Sequence, residues 1–504
     1  MRREMAGHFT AGTFGPDNGT WRPGDNVTSG KWIFSWKSDE FGMVTRAKAR
    51  LCARGFSQIE GVDYFDKFSP CPSHSSVRLL AAVACELGYD LCHSDADQAF
   101  VQSRLKELVY MRLPAGCGSL SGKIVVLKRS LYGLKQASRT WHQHLIASVK
   151  RLGFEQCGAD ACVLRLVENG SVSIMAVVHV DDIFTAGRKS RCDQFVADLN
   201  RYLPINNLGV LRFYGGCRFS HDPVAGTVKI SQQTFAENVV RKFGVTRNKP
   251  TPMPFDLKLE NFDPAEPDVD EPFRSLVGHL MWLANQTRPD IYFSVRAVAR
   301  YSHAPKVIHW RAALHILMYV RFTSSLGITY QRGTARGVDL EVYVDSDFAS
   351  KTRDRRSVTG YVVMCAGACV SFSSKTQRSV ALSSSEAEYV AMSEGLKDAI
   401  YMRFIWSFLF PDRDVGCTVV YEDNMGAQHL ANNPATTPNS KHIDIRYHFI
   451  RERMGRGEFK VAHVSSAPQH ADFLTKTLRP GPFLRQRNVV MLSLIHISEP
   501  TRPY

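Results

Sequence analysis

Two adjacent aspartates, Asp181 and Asp182, interrupt the apolar stretch SVSIMAVVHVDDIFTAG and restrict the fold more than any other feature of the chain. The run Ile174 to Val180 and the pair Ile183-Phe184 read as two strands joined by a tight turn, with both acids at the hairpin tip. Adjacent carboxylates flanked by buried strands are costly unless a cation neutralises them. A lone Asp-Asp is common in solvated turns, so the pair needs a third acid to carry chemistry. The segment YDLCHSDADQAF provides one: a short strand from Tyr89 to His93 ends at Asp95. Two divalent metals about 4 Å apart, held by carboxylates from two strands, activate an attacking hydroxyl and stabilise a leaving oxygen. Asp95, Asp181 and Asp182 suit such a clamp, with Asp97 the weaker candidate.

A second acid set lies nearer the C-terminus. VDLEVYVDSD alternates, with Val338, Leu340, Val342 and Val344 on one face and Asp345 on the other at the strand's end. Asp347 is the runner-up to Asp345. GYVVMCAGACVSFSS predicts a hairpin turning at Ala366-Gly367-Ala368, and SSSEAEYVAMSEGLKDAIYMRFIWSFL a long serine-capped helix. Glu386 stands three residues after Ser383 and Glu388 three after Ser385, so either can complete a capping box. VVYEDNMGAQHLA predicts a strand entering a helix with Asp423 at the junction. FKVAHVSSAPQHADFLTK predicts a strand, a loop and a helix carrying Asp472.

Between the two sets, the segment 248–272 carries Pro250, Pro252, Pro254, Pro264, Pro267 and Pro272 among many acids, which no helix or central strand accommodates. The expected organisation is a flexible or truncated lead-in over 1–29, an α/β or α+β domain over 30–247 and a linker over 248–272. A helical connection over 273–337, a second α/β domain over 338–480 and a tail over 481–504 follow. The final SLIHISEPTRPY fits neither domain and reads as translated sequencing-adapter sequence or a disordered end.

The formal net charge of +15 favours a polyanionic partner, nucleic acid before membrane. No apolar run reaches the roughly 18 residues that span a bilayer. The first 30 residues hold no continuous apolar segment, so no secretory signal is expected. The sequons at Asn18, Asn26 and Asn169 therefore carry no weight. The 12 cysteines include no C-x-x-C pair and are expected as free thiols. Cys365 and Cys369 have the spacing of a metal half-site, with no second half nearby.

KARLCARGFSQIEGVDYFDKFSP, HSDADQAF, LYGLKQASRTWH and HVDDIF occur in that order. They resemble the successive reverse transcriptase motifs of copia-type (Pseudoviridae) retrotransposon Pol polyproteins. SSSEAEYVA, EDN, SKHIDIRYHFIRE and QHADFLTK resemble the ribonuclease H region of the same elements. The resemblance runs from about Lys31 to Leu478. It implies an α+β and α/β multidomain chain: a right-hand polymerase fingers and palm domain, a helical connection, and a ribonuclease H-like α/β domain. It implies two metal ions, Mg2+ or Mn2+, on Asp95, Asp181 and Asp182, and two more on Asp345, Glu388, Asp423 and Asp472. Glu388 is preferred to Glu386 because E-Y-V-A fits the family's helix register.

Further roles follow from the same resemblance. Lys48 and Arg50 would contact the incoming deoxynucleoside triphosphate, Phe100 would lie under the deoxyribose, and Gln136 would border nucleotide and template. Lys135 would touch backbone phosphate, and Phe213, in FYGGC, belongs to the primer-gripping segment. Solvated basic strands and core packing are the plain alternatives for Lys48, Arg50 and Phe100. Arg353, Arg355 and Arg356, with Lys351, form a basic turn suited to hybrid phosphates or to solvent. His463 or His470 could assist product release; His442 and Asp444 are read as structural. The family more often has an aromatic where His179 stands. The implied partners are RNA template, DNA primer, RNA–DNA hybrid and deoxynucleoside triphosphates, with the capsid and integrase regions of the polyprotein and no membrane. The implied location is the cytoplasm, within virus-like particles, or the nucleus. The alternatives are a catalytically inactive nucleic-acid-binding relic, in a polyprotein fragment or degenerate copy, and an unrelated metal-dependent phosphoesterase.

Overall fold

The computed structural model describes residues 1–15, 21–38, 43–349, 354–432 and 444–492. Among these, the strands form four sheets. The first is ordered Phe14–Gly15, Ile124–Arg129, Arg104–Arg112, Val27–Ser38, Val44–Ala53, and its last two strands form a long antiparallel hairpin. The second is ordered Ile205–Val210, Asp90–Ala96, Asp182–Gly187, Ser171–His179, Val163–Glu168, Phe154–Gln156. These are the fingers and palm sheets. The palm helix His74–Leu87 is rich in Ala, Leu and Val; the Ser73 hydroxyl caps it by accepting from Ser76 N at 3.0 Å, and Gly88 ends it at φ 66°. Leu79 to Cys85 are buried all round because this helix lies between the palm sheet and the strand Ala368–Thr376.

The third sheet is ordered Phe213–Tyr214, Cys217–Asp222, Thr227–Ser231, Gly327–Gln331. Its last strand corrects the expectation of a helical connection over 273–337. Helices Phe273–Gln286, Tyr292–Ala299 and Val307–Phe322 are present, but GITYQ then pairs in register with Thr227–Ser231, as its β-branched and aromatic residues favour. The proline-rich stretch 248–272 has no helix or strand, yet Met253 and Leu259 are buried, and the Leu259 carbonyl lies 3.0 Å from His309 Nε2.

The fourth sheet is ordered Ala368–Thr376, Val358–Cys365, Glu341–Ser346, Thr418–Glu422, Phe459–His463. The first three strands are antiparallel, and the last two run parallel to Glu341–Ser346. The hairpin turns at Ala366 and Gly367, both at positive φ (47° and 80°), as a two-residue turn matching strand twist requires. The helix Ser384–Leu409 lies against the central strand through Gly395, where a Cβ would come 2.7 Å from Val344. Cys365 and Cys369 are buried thiols, Cys369 pushed up to about 12 by burial, and among the described residues they belong to no cluster of three metal-ligating side chains.

Both ends of the chain depart from expectation. The described residues of the segment 1–29 are not a loose lead-in: helix Arg2–Ala11 buries Met5 and His8, and Phe14–Gly15 pairs with Leu127 and Val126. A few anchors suffice although the segment is poor in aliphatics. At the other end, helix Pro480–Met491 buries Phe483, Val490 and Met491, so the tail begins later than 481. Residues 493–504, and with them the adapter reading, lie outside the described residues, as do Lys351, Arg353 and His442. One hydrophobic core runs from the palm helix through the connection into the fourth sheet; a second fills the fingers and the other face of the palm sheet.

Candidate active sites

The palm strands carry the first site. Asp182 sits opposite Asp95 in the antiparallel register, and Ala96 N donates to the Asp181 carbonyl at 2.8 Å. Asp95 thus lies inside its strand, Asp90–Ala96, one residue short of its end. Burial, then the charges of Asp181 and Asp182, push Asp95 up to about 6. His93 Nε2 lies 3.0 Å from Asp182 Oδ1 and fixes that carboxylate. Val180, a β-branched residue, turns the hairpin at φ 57°, and Trp141 Nε1 donates to its carbonyl at 2.7 Å. Trp141, from the LYGLKQASRTWH segment, is a positioning residue that the sequence reading passed over. Asp97 is exposed in the turn beyond Ala96. Standing two residues apart, it would share the face of Asp95; what separates them is the end of the strand.

The fingers residues approach this site from one side of the hairpin. Arg50 stacks on the Tyr132 ring at 5.1 Å, and Tyr132 meets Phe100 edge-on at 4.5 Å. Lys48 is close enough to lower the pKa of both Asp95 and Glu4. Phe100 is 7% exposed and packs in the fingers core, with Tyr132 against it. Gln136 is differently placed from expectation: its amide donates to the Asp63 carbonyl (2.8 Å) and accepts from Gln58 (3.1 Å), so it braces the 58–63 loop. Lys135 is exposed. Gly133, at φ 90°, brings this turn against the Ala53 carbonyl, where any Cβ would clash at 2.1 Å. Phe213 is 42% exposed, while Tyr214 is buried against His93, His179 and Phe184. A cavity of about 600 Å³ opens between His179, Asp182, Tyr214, Gly215 and Trp282.

The second site closes more tightly. Among the described residues, two groups of three carboxylates bring ligand oxygens within 4.8 Å of one another: Asp345, Asp423 and Asp472, and Glu388, Glu422 and Asp423. Asp423 is the shared corner. The palm trio forms no group this close. Asp345 lies one residue short of the end of the central strand, 1% exposed, and accepts from Thr475 Oγ1. Burial first, opposed by Lys476 and reinforced by Asp472 and Asp423, pushes it up to about 8. Lys476 Nζ stands 2.8 Å from Asp472 and 3.7 Å from Asp345. The two glutamates of the helix separate cleanly. Glu386 completes the cap, its backbone N–H donating to Ser383 Oγ (3.1 Å) and its carboxylate accepting from Leu382 N (2.7 Å). Glu388, two residues further along the helix, is buried in the site.

Glu422 is the residue the sequence reading missed. It ends the strand Thr418–Glu422 with no exposure, and one carboxylate oxygen accepts from Asn424 N. The other, like Oε2 of Glu388, is buried with no hydrogen-bond partner. Burial and the neighbouring carboxylates push both glutamates well above the usual carboxylate range. The hint was parity: Thr418, Val420 and Glu422 alternate onto one buried face. Asp347 is a runner-up no longer, since its Oδ1 accepts from Val358 N outside the cluster. Asp472 sits in a single 3-10 turn, Asp472–Leu474, not in a helix. His470 is packed on Tyr343 and lowered to about 4 by burial; His463 is exposed. Arg355 and Arg356 are exposed beside the region where Arg353 lies outside the described residues.

All-oxygen, partly orphaned carboxylate clusters suit hard divalent cations such as Mg2+ or Mn2+. Residues 22–256 match the family model described as reverse transcriptase (RNA-dependent DNA polymerase). The retrovirus-related Pol polyprotein of transposon TNT 1-94 from Nicotiana tabacum is 33% identical over 90% of this chain, but this chain spans only 35% of it. A transposon Ty5-1 protein of Saccharomyces cerevisiae is 30% identical over 60% of this chain and 98% of its own length. The solved foamy viral protease-reverse transcriptase dRH, in complex with double-stranded DNA, superposes over 92% of this chain and 68% of that one, at TM-score 0.51 and 12% identity. That likeness concerns the fold alone. The chain belongs to the reverse transcriptase family of copia-type retrotransposon Pol polyproteins.

Proposed function

We propose that this chain copies an RNA template into DNA from a DNA primer and degrades the RNA strand of the resulting hybrid. The observation that carries the reading is the pair of carboxylate constellations, one built across adjacent palm strands and one buried at the ends of the fourth sheet's central strands. Divalent metals, when bound, would neutralise these acids and supply the electrophilic pull on phosphate and nucleophile. The side chains do the rest. Asp95 and Asp182 present oxygens from neighbouring strands, and His93 keeps Asp182 turned toward them. Lys48 and Arg50 offset triphosphate charge, and Arg50 is oriented by its stack on Tyr132. Phe100 and Tyr132 form the wall on which a deoxyribose would rest. Tyr214, with the glycine turn after it, borders the primer side of the cavity beside Asp182.

In the second site, Lys476 holds a positive charge between Asp345 and Asp472, able to meet a phosphate oxygen as a point charge. Arg355 and Arg356 would contact the hybrid backbone, whose A-form shape and 2′-hydroxyls distinguish RNA from DNA. Capsid and integrase functions would come from other parts of the polyprotein. The test is templated primer extension and hybrid cleavage by the purified chain in Mg2+, with Asp181→Asn and Glu388→Gln alongside. The reading expects Asp181→Asn to lose extension and keep cleavage, and Glu388→Gln to do the reverse. Neither activity in a folded wild-type chain would reduce it to an inactive nucleic-acid-binding relic.

A further inference from the structure

The helix Pro480–Met491 turns one stripe inward, and that stripe is not wholly apolar. Phe483, Val490 and Met491 are buried at helical spacing, and between them Gln486 and Arg487 are only 3% and 6% exposed. Two long polar side chains in such positions are costly unless each meets a partner. Arg487 finds its partner in the connection. It donates from Nη1 to the Tyr319 hydroxyl at 3.3 Å, and that hydroxyl donates to Asp290 at 2.7 Å. Asp290 is itself paired with the buried Arg288 at 2.8 Å. Phe483 meets the Tyr319 ring edge-on at 5.8 Å beside this network. The helix is therefore fixed on the connection by groups that belong to neither carboxylate constellation.

Gln486 is satisfied at one end only. Its Nε2 donates to Asp472 Oδ2 at 3.4 Å, while its Oε1 is buried with no hydrogen-bond partner. A methionine or leucine of similar volume would fill the same space and leave no orphaned oxygen, so packing alone does not account for an amide here. What the amide adds is a neutral donor on Asp472. That carboxylate stands in a single 3-10 turn, which sets the backbone and not the plane of the side chain. Lys476 Nζ stands 2.8 Å from one oxygen, Oδ1, and the Gln486 amide holds the other. The amide adds a grip without adding a second positive charge, so the cluster with Asp345 and Asp423 keeps its attraction for a cation. Carboxylates that ligate metals are themselves held by hydrogen-bonding partners of this kind.

We infer that Gln486 is a positioning residue of the second site. Its amide sets the Asp472 carboxylate for a divalent cation, and through Arg487 the helix hangs that setting on the connection. The inference rests on the reading of this cluster as a metal-dependent site that cleaves hybrid.

The test uses the full chain with Mn2+ alone as the probe, by calorimetric titration. Glu388→Gln marks the component of the isotherm that belongs to the second site. Gln486→Met removes the donor and fills the space, and Gln486→Leu repeats the removal in case one apolar side chain misfolds. Gln486→His keeps an N–H donor at a similar reach. The apolar variants are expected to weaken second-site Mn2+ binding on the order of 10-fold or more, and the histidine variant to recover most of the affinity. The metal-free melting temperature and primer extension should stay as in the wild type. Hybrid cleavage should fall through kcat, with KM for the hybrid kept, because a buried side chain meets no substrate. Mn2+ affinity that the apolar variants leave unchanged overturns the inference. So does a lowered melting temperature with unaltered affinity, which would make Gln486 a packing residue. A wild-type chain that binds Mn2+ at this site and cleaves no hybrid sinks the ribonuclease H reading alone, since the isotherm does not depend on turnover.

Discussion

At the scale of single residues, the second site is governed by where its positive charge lies. Lys476 serves the corner made by Asp345 and Asp472, while Glu388 and Glu422 face each other with orphaned oxygens. Buried carboxylates in that state prefer to be protonated, which sets a sign for the dependence on pH. Asp95 and Asp345 are raised, to about 6 and about 8. A raised acid contributes stability that is fully present below its unfolded pKa, about 4, and that is lost as pH rises through the folded value. Without divalent metal, the melting temperature is therefore expected to fall from pH 5 to pH 9. Added Mg2+ should restore it at the alkaline end and do little at pH 5. A metal-free melting profile that is flat or rising over this window would refute the assignment. Glu422→Gln isolates the residue that the sequence concealed. It should weaken Mn2+ binding at the second site on the order of 10–100-fold, by analogy with the loss of a group that supports metal ligands. It should also stabilise the metal-free chain at pH 8. Calorimetric titration with Mn2+ would read the first effect, and unchanged binding would leave Glu422 a packing residue. Glu422 was hard to read because its neighbour Asp423 filled the expected place in the motif. Gln136 misled for the opposite reason: a motif match cannot reveal that both ends of an amide are already engaged within the protein.

At the scale of elements, patterning made the catalytic hairpin, the long helix and the turn at Ala366-Gly367 legible. Each rests on local chemistry: alternation, a serine cap, or positive φ. What escaped were elements whose partners are remote in sequence. Gly327–Gln331 becomes a strand only because Thr227–Ser231 offers an edge, and helix Arg2–Ala11 persists only because the fingers sheet receives Met5. The segment after His470 was expected to continue as a helix. Instead the Thr475 hydroxyl bonds both the Asp472 carbonyl and Asp345, holding a single turn that aims Asp472 into the site. The catalytic hairpin likewise depends on a remote element. Val180 holds an unfavourable positive φ, and Trp141 bonds its carbonyl from helix Ala137–Arg151. Trp141→Phe keeps an aromatic ring there and removes the donor. It should cost about 0.5–1.5 kcal/mol in denaturant unfolding, the range for losing one part-buried hydrogen bond. It should lower primer extension on every template while hybrid cleavage persists. Equal losses in both activities would instead mean general destabilisation.

At the scale of the whole molecule, the two sites share one body. Arg78, on the palm helix and 5% exposed, donates to the carbonyls of Val370 (2.8 Å), Asn285 (3.0 Å) and Gln286 (2.9 Å) and stacks on Phe372 at 4.6 Å. Palm, connection and fourth sheet therefore meet on one guanidinium. Nearby, Asp160 accepts from Ser76 of the same palm helix and from Tyr401 of the long helix. Nothing in the sequence marks Arg78 for this task; an arginine in an alanine-rich helix reads as a solvated charge until three chain segments converge on it. The consequence is mechanical. If the duplex runs from one site to the other, a continuous core fixes how many base pairs lie between them. The hybrid left behind the primer end should then have a narrow length distribution. Arg78→Met keeps length and apolarity but strands three carbonyls, at roughly 3–5 kcal/mol. Tyr401→Phe removes one contact of the neighbouring network more gently. In both variants each active site keeps its carboxylates, so extension and cleavage should survive at temperatures where the chain remains folded. The spacing between primer end and first cleavage should broaden, more for Arg78→Met than for Tyr401→Phe. Gel analysis of cleavage products on an end-labelled hybrid reads this directly. Wild-type spacing that is already broad, or that both variants leave narrow, would show that the shared core holds the fold together without setting the distance between the sites.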